Sequence, residues 1–163
     1  MDEGRAGDFD EFYRAEYGRL AGALRLACGG DGRAGEDLAQ EAMVRAWAHW
    51  ARVREMERPA GWLYATGFNL VRRRWRLARR PAAEAAPAPD EILAADARLA
   101  LEAAVTCLPL QQRKAVVARH VLGMSTGESA ELLGISDDAL RALLHRGVTA
   151  LRRSPALVTT EDT

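Results

Sequence analysis

Residues 59–76 read PAGWLYATGFNLVRRRWR, and this pattern predicts one amphipathic helix from Pro59 to about Arg80. Proline suits the first turn of a helix, where its missing N–H leaves no hydrogen bond unmade. At about 100° per residue, most apolar side chains of this helix fall on one arc, which we predict to face a hydrophobic core. The arc contains Leu63, Tyr64, Gly67, Leu70, Val71, Leu77 and Ala78. Arg74 falls on the same arc and does not fit the pattern.

The other side of this helix is cationic, with no Asp or Glu between residues 59 and 80. A solvated helix face normally mixes both signs of charge, whereas a row of cations is stabilised by the phosphates of a nucleic acid. An aromatic ring stacks on unpaired bases, and an Asn side chain can read a base edge. The cationic side contains Trp62, Asn69, Arg72, Arg73, Arg76, Arg79 and Arg80, and the segment before it adds Arg54 and Arg58. We predict a surface for opened nucleic acid; a solvated face and an anionic membrane surface are the alternatives.

The charge along the chain supports this interpretation. The 163 residues have a formal net charge of zero, so the total indicates no partner. Residues 51–80, however, contain nine Arg and two Glu, a net charge of +7, and acidic segments lie on both sides of them. Such asymmetry is typical of a segment that binds a polyanion.

The N-terminal segment predicts two further helices. After a frayed start over residues 1–8, the first runs from Phe9 to about Cys28, with Asp8 as its N-cap and Glu11 completing a capping box. The second runs from about Ala34 to Trp50. Its inner face is predicted to contain Leu38, Ala39, Ala42, Met43, Ala46 and Trp50.

A stripe beside that inner face mixes acids, an amide and large apolar groups. Its members are Asp37, Gln40, Glu41, Val44 and Trp47. Acids next to an exposed Trp suit a protein partner with Arg-rich helices. The alternative is that the acids complement the helix dipole and that Trp47 belongs to the core.

Residues 81–90, PAAEAAPAPD, have the composition of a solvated, semi-stiff linker. Helices are predicted after it at 91–107, with an inward stripe of Ile92, Leu99, Ala103 and Cys107, and at 110–121. The stretch STGESAELLGISDDALRALLHRG (125–147) then fits a helix-turn-helix whose last helix, from an N-cap at Ser136 to about Arg153, enters the major groove. A plain helical hairpin is the alternative, and the acids Asp137 and Asp138 weaken the DNA interpretation. The tail from Ser154 is predicted to be loose.

The fold class is therefore all-α, with two small helical domains at 9–80 and 96–154 joined by a linker at 81–95. No apolar run is long enough for a membrane span and there is no signal-peptide pattern, so we expect a cytoplasmic protein with no membrane insertion. Two cysteines and three scattered histidines predict neither a disulfide framework nor a metal site. Without a nucleophile–base pair or a phosphate-binding loop, the sequence predicts no catalysis and no cofactor.

Three motifs together resemble the extracytoplasmic-function (group 4) sigma factors of bacterial RNA polymerase. They are GEDLAQEAMVRAW (Gly35–Trp47), PAGWLYATGFNLVRRRWR (Pro59–Arg76) and LPLQQRKAVVARHVLGMSTGESAELLGIS (Leu108–Ser136). The resemblance covers about residues 9–80 and 98–153. It implies a promoter-specificity subunit without catalysis, made of sigma region 2, a linker and the helix-turn-helix of sigma region 4. The implied partners are core RNA polymerase, promoter DNA and an anti-sigma factor.

The resemblance also implies roles for residues. Asp37, Gln40 and Glu41, with Val44 and Trp47, would dock on the clamp helices of the polymerase β′ subunit, and the β subunit is a further implied contact. Residues 51–61 with Trp62 and Asn69 would capture a flipped base of the −10 element, which the basic segment Arg72, Arg73 and Arg76 would help to hold. The −35 element would be read by Ser136, Arg141, His145, Arg146 and Arg152. Three departures from the family pattern are Arg73 for a frequent Asp, Ser129 for an apolar residue and Asp138 for a common Gly.

Two other functions stay open from the residues alone. One is a helix-turn-helix regulator that binds duplex DNA without polymerase. The other is an RNA-binding or scaffold protein that uses only the arginine-rich helix.

Overall fold

The computed structural model describes residues 2–78 and 97–158, and within them it contains helices and no strand. This confirms the all-α prediction. The first half consists of α1 (Asp2–Ala27), α2 (Gly32–Ala48), the short α3 (Trp50–Val53) and α4 (Pro59–Ala78). The second half consists of α5 (Ala97–Thr106), α6 (Leu110–Val116) with a π-helical continuation (Val117–Val121), α7 (Thr126–Leu133), α8 (Asp137–Arg152) and α9 (Pro155–Val158).

In the first half, α1, α2 and α4 enclose one apolar core. Leu20 and Leu24 of α1 meet Leu63 and Val71 of α4, and all four side chains are fully buried. Gly35 lets α2 approach α1 closely, since a Cβ atom there would lie 2.5 Å from the backbone nitrogen of Arg25. The burial of Leu63 and Val71 against α1 fixes the orientation of α4 about its own axis. The predicted apolar arc is confirmed from Leu63 to Val71.

In the second half, α7 and α8 form the predicted helix-turn-helix. Ser125 and Glu128 make a reciprocal capping box at the start of α7, as this sequence pattern favours. Gly134 ends α7 with φ of 67°, in the left-handed region, and the Ser136 hydroxyl accepts the Ala139 N–H to cap α8. Leu140 is fully buried in a small core with Ala115 and Ala130.

The two halves pack against each other. The apolar core of α1, α2 and α4 also contains Val105, Val117, Ala118, Leu122 and Met124 of the second half. Polar contacts add to the apolar ones: Arg113 donates to the Ala27 carbonyl at 3.1 Å, and Arg25 pairs with Glu102 at 2.9 Å. Arg113 thus binds the carbonyl end of α1, where the helix dipole favours a cation.

The chain termini correct two predictions. α1 begins at Asp2, so the predicted fraying is wrong for residues 2–8, and Asp8 lies inside the helix rather than at its N-cap. The side chain of Arg5 donates to the Trp47 carbonyl at 3.3 Å and lies 5.1 Å from the centroid of the Trp47 ring, which holds the first turns against α2. The tail predicted to be loose from Ser154 contains α9, which packs against α5 and α8.

The predicted inward stripe of α5 is also wrong. Ala100, Ala104 and Val105 are buried, whereas Leu99 is 54% exposed and Cys107 is exposed. On α4, Leu77 is 74% exposed and Ala78 is exposed as well, although both belong to the predicted apolar arc. Ile92, Arg79, Arg80 and the linker at 81–95 lie outside the described residues. Within the described chain, no helix has both the length and the apolar character that a membrane span requires.

Candidate functional site

The cationic face of α4 is exposed as predicted. Asn69, Arg72, Arg73 and Arg76 point to solvent, and within residues 2–78 and 97–158 the three arginines form no ion pair. The opposite face of α4 is held in the core, so these side chains share one fixed side of the helix. Because no carboxylate of the described residues neutralises these three arginines, their charge is available to an external anion.

Trp62 begins this face. Its indole is half-buried and packs against the core of the first half, with His49 edge-on at 6.2 Å between ring centroids. The Trp62 carbonyl accepts a hydrogen bond from the Thr66 hydroxyl at 2.9 Å. The indole is therefore held in place by its neighbours while part of its surface stays accessible.

A groove of about 920 Å³ lies beside Trp62. One wall is formed by the first half, including Arg19, Arg58, Trp62, Asn69 and Arg72. The other wall comes from the helix-turn-helix, with Glu128, Glu131 and Leu132 of α7. The groove thus gathers four of the predicted −10 residues, and the second half of the chain closes it from the opposite side.

Tyr64 and Glu16 also line this groove, and the Tyr64 hydroxyl donates a hydrogen bond to the Glu16 carboxylate. Burial, followed by this hydrogen bond and the Glu16 charge, raises the pKa of the Tyr64 phenol far above its usual range. The phenol therefore stays protonated and links α1 to α4 under the groove.

Other predicted −10 residues lie elsewhere or have partners. Arg54 is outside the groove lining and pairs with Asp8 at 3.1 Å and Glu55 at 3.3 Å. Arg58 pairs with Glu128. Arg74, which does not fit the apolar arc, turns toward the α1–α2 loop and lies 3.7 Å from Asp31, which explains how a cation is tolerated there.

The predicted partner stripe on α2 is exposed along its length. Val44 is 65% and Trp47 40% exposed, and Asp37, Gln40 and Glu41 are exposed as well. The interpretation of Trp47 as a core residue is therefore wrong, although its ring packs edge-on against Phe9 at 5.0 Å. α2 has no acidic residue in its first turn, so the helix dipole does not account for Asp37 and Glu41.

The predicted −35 residues lie on α8, apart from Ser136, which is its N-cap. His145, Arg146 and Arg152 are exposed. The Ser136 hydroxyl is occupied by the cap, and Arg141 pairs with Asp138 of its own helix at 3.0 Å. The acids at the start of α8 therefore hold one of the arginines that the sequence assigns to DNA.

Sequence reasoning missed Arg19 and the acidic wall of α7. Arg19 belongs to α1, about forty residues before the start of α4, and its position in the groove depends on how the two helices cross. It also missed Lys114, which is buried; burial first, and then the charge of Arg72, lowers the pKa of this amine. Within the sequence itself, no local pattern marks any of these contacts.

Comparisons with known proteins match both halves. Residues 12–81 match the family model for sigma-70 region 2, and residues 98–151 match the model for sigma-70, region 4. The ECF RNA polymerase sigma factor SigL of Mycobacterium tuberculosis is 33% identical over 140 residues, which cover 80% of this chain and 78% of SigL. The RNA polymerase sigma-E factor of Streptomyces avermitilis is 28% identical over 158 residues, covering 93% and 87% of the two chains.

Solved structures agree on the fold. The chain is similar to CnrH, solved in complex with the cytosolic domain of CnrY, with a TM-score of 0.65 and 25% identity over 94% of this chain and 89% of that one. It also shares the fold of the sigma factor RpoE of Bartonella quintana, solved with the anti-sigma factor NepR, with a TM-score of 0.70 and 17% identity over 96% and 99% of the chains.

Proposed function

Because the chain belongs to the extracytoplasmic-function group of the sigma-70 family of RNA polymerase sigma factors, we propose that its functions are divided among α2, α4 and α8. In this assignment α2 binds core polymerase, α4 holds the opened −10 element, and α8 contacts the −35 element. Residues 9–80 are sigma region 2, residues 96–154 are sigma region 4, and 81–95 link them. The family acts in transcription initiation and is not enzymatic. We expect the chain to act in the cytoplasm, where core polymerase works.

The observation that carries the −10 assignment is that Arg72, Arg73 and Arg76 on α4 have no ion-pair partner among the described residues and lie next to Trp62 and Asn69. Phosphate contacts supply affinity that decreases with salt. Stacking on an aromatic ring contributes about 1–3 kcal/mol per base, which offsets the few kcal/mol that extruding a base from the duplex costs. A helix that offers both contacts on one face favours a melted strand over an intact duplex.

The α2 assignment is supported by the exposed stripe from Asp37 to Trp47. An exposed Trp flanked by carboxylates suits basic helices of a protein partner, and the family resemblance identifies these as the β′ clamp helices, with the β subunit as a further contact. Regulation by an anti-sigma factor is proposed on the same resemblance, and the similar chain CnrH was solved with the cytosolic domain of CnrY.

Run-off transcription tests the function as a whole. With core polymerase and a library of genomic fragments, we expect promoter-dependent transcripts only when the chain is added. A helix-turn-helix regulator acting alone would instead bind duplex operators tightly and fail to bind core polymerase. That second result would overturn the proposal.

Asp37→Arg tests the α2 assignment. Reversing this charge should abolish co-purification with core polymerase while leaving the helical circular dichroism spectrum unchanged, because Asp37 is exposed and outside the core. Glu11→Arg is the matched control, since Glu11 is exposed on the solvent side of α1. If both variants bind core polymerase like the parent, the α2 assignment is wrong.

A further inference from the structure

We propose that the first turns of α1 (residues 2–12) position the Trp47 indole for the protein partner of α2, with Arg5 as the positioning residue. The inference rests on the proposed docking of the α2 stripe on core polymerase. It gives a role to residues ahead of Phe9, where the resemblance to the family begins.

The first support is that one face of these turns packs along the end of α2 and on α3. The Phe9 ring lies 5.0 Å from the Trp47 ring and 5.2 Å from the Trp50 ring, measured between centroids. Trp50 is buried and anchors the cluster. Spacings of three and four residues place several side chains on this face. They are Arg5, Asp8, Phe9 and Phe12.

The second support is that Arg5 binds Trp47 at two points. Its guanidinium donates to the Trp47 carbonyl at 3.3 Å, and its central carbon lies 5.1 Å from the centroid of the Trp47 ring. Trp47 is the last residue but one of α2, where carbonyls lack partners within the helix and the helix dipole favours a cation. One side chain therefore restrains both the backbone and the indole of Trp47.

The third support is that the restrained indole stays accessible. Trp47 is 40% exposed, and Val44, one turn earlier on α2, is 65% exposed. A Trp at a docking surface contributes most when its position is fixed before binding, because less side-chain freedom is lost on association. Arg5 and Phe9 contact part of the ring and leave the rest to the partner.

The fourth support is that neither stability nor charge explains an arginine at this position. The Arg5 Nε atom is buried and has no hydrogen-bond partner within the described chain, and an unsatisfied buried donor lowers stability. The α2 stripe offers Asp37 and Glu41 to a partner proposed to be basic, so the charge of Arg5 opposes the charge of that partner. Orientation of Trp47 is the contribution that remains.

Arg5→Ala tests the inference in the full-length chain, titrated with core polymerase by fluorescence anisotropy. We expect affinity for core polymerase to fall about twofold to tenfold, the range for an interface side chain that must be ordered on binding. Loss of a positive charge would by itself strengthen binding to a basic partner, so the direction of the change separates positioning from charge. The melting temperature should change by less than about 2 °C, because the described buried side chains of α1 begin at Leu20.

Three further variants separate positioning from other effects. Arg14→Ala removes the same charge from an exposed position of α1 and should leave affinity for core polymerase unchanged. Arg5→Lys keeps a cation for the Trp47 ring and should recover most of the affinity. In a Trp47→Ala chain, adding Arg5→Ala should have no further effect, because Arg5 acts through Trp47.

Fluorine NMR tests the position of the indole without polymerase. The free chain is labelled with 5-fluorotryptophan, and the Trp47 signal is assigned with Trp47→Phe. We expect this signal to shift or broaden in Arg5→Ala and to stay unchanged in Arg14→Ala, because only Arg5 contacts the ring.

Three results would overturn the inference. They are unchanged or tighter binding of core polymerase by Arg5→Ala, an equal loss in the Trp47→Ala chain, and an unmoved fluorine signal. If Trp47→Ala binds core polymerase like wild type, the α2 assignment is contradicted instead. The fluorine signal then still decides whether Arg5 holds the indole.

Discussion

The two basic helices of this sigma factor, α4 and α8, use arginine in opposite circumstances. α4 has no acid along its length, and its exposed Arg72, Arg73 and Arg76 lack carboxylate partners within the described chain, whereas Arg74 pairs with Asp31 of the α1–α2 loop. α8 begins with Asp137 and Asp138, and the latter holds Arg141 at 3.0 Å. Arg141 must leave Asp138 before it can contact a phosphate, whereas Arg72, Arg73 and Arg76 need not leave an acid, so the two helices should differ in affinity more than in their arginine content.

The largest expected effect tests whether the unpaired arginines of α4 bind single-stranded DNA. Replacing Arg72, Arg73 and Arg76 by Ala should weaken single-strand binding by the core-bound chain about a thousandfold, since contacts to charged groups contribute about 1.5–3 kcal/mol each. Each phosphate contact to a single strand contributes roughly 0.7 to the steepness of log affinity against log salt. Losing three contacts should therefore make this slope shallower by about 2. Anisotropy titrations over a salt series measure both quantities.

The matched variant replaces Arg141, Arg146 and Arg152 of α8 by Ala. We expect it to leave the single-strand salt slope unchanged and to weaken binding of duplex −35 DNA. Equal loss of single-strand affinity from both triple variants would show that α4 has no special role.

Close helix crossings provide a second comparison between the halves. At Gly35 an added Cβ would lie 2.5 Å from the Arg25 backbone, whereas at Gly147 it would lie 2.9 Å from Cγ2 of Val116. Backbone yields less than a side chain, so Gly35→Ala should lower the free energy of unfolding by about 3 kcal/mol and Gly147→Ala by about 1 kcal/mol, the two ends of the usual cost of overpacking.

Gly22→Ala is the control for helix propensity, because nothing lies within 4 Å of the Cβ it adds. It should stabilise the chain by about 0.5–1 kcal/mol, as measured by urea unfolding. If Gly35→Ala is as stable as Gly22→Ala, the described α1–α2 approach is wrong.

How far the sequence could predict the structure depends on the range of the determining contacts. The buried arc of α4 and the helix-turn-helix follow from local periodicity, caps and Gly134, and both are confirmed. The first turns of α1 depend on Arg5 reaching Trp47, 42 residues away, and no local pattern marks that contact. The capping-box pattern of Asp8 and Glu11 favoured a predicted start of α1 at Asp8.

The same reasoning applies to the candidate site. The exposed cationic face of α4 could be predicted because an acid-free arc is visible in the sequence. The pairing of Arg54 with Asp8 and of Arg58 with Glu128 could not, because each requires knowing which helices meet. The inward stripe of α5 failed for this reason too: α1 and α9 decide which of its faces is covered.

A smaller effect tests whether the Asp138–Arg141 ion pair limits DNA binding by α8. Asp138→Asn removes the partner of Arg141 and a negative charge from the proposed −35 surface, so duplex −35 affinity should rise about twofold to fivefold, within the range for an exposed ion pair. The helix should lose about 0.3–1 kcal/mol because an acid in its first turn complements the dipole. Electrophoretic mobility shifts with the isolated promoter element measure the gain. No change in affinity would mean that the pair, although formed, does not limit recognition by α8.

The smallest expected effect concerns the core beneath α7. Ser129 is fully buried, and within the described chain its hydroxyl oxygen has no hydrogen-bond partner. An unsatisfied buried hydroxyl costs about 1–3 kcal/mol, partly offset by packing contacts of the oxygen atom. Ser129→Ala should therefore stabilise the chain by about 0.5–1 kcal/mol, or roughly 1–4 °C in melting temperature.

The reciprocal change, Ala42→Ser, adds a hydroxyl to the fully buried face of α2 and should destabilise the chain by a similar amount. The pair of variants compares the two cores directly by calorimetry. If Ser129→Ala instead lowers the melting temperature, the hydroxyl is bonded in solution, and the family departure at Ser129 supports the packing of α7 rather than weakening it. The stability that holds α7 against the groove would then include a polar contact at this position.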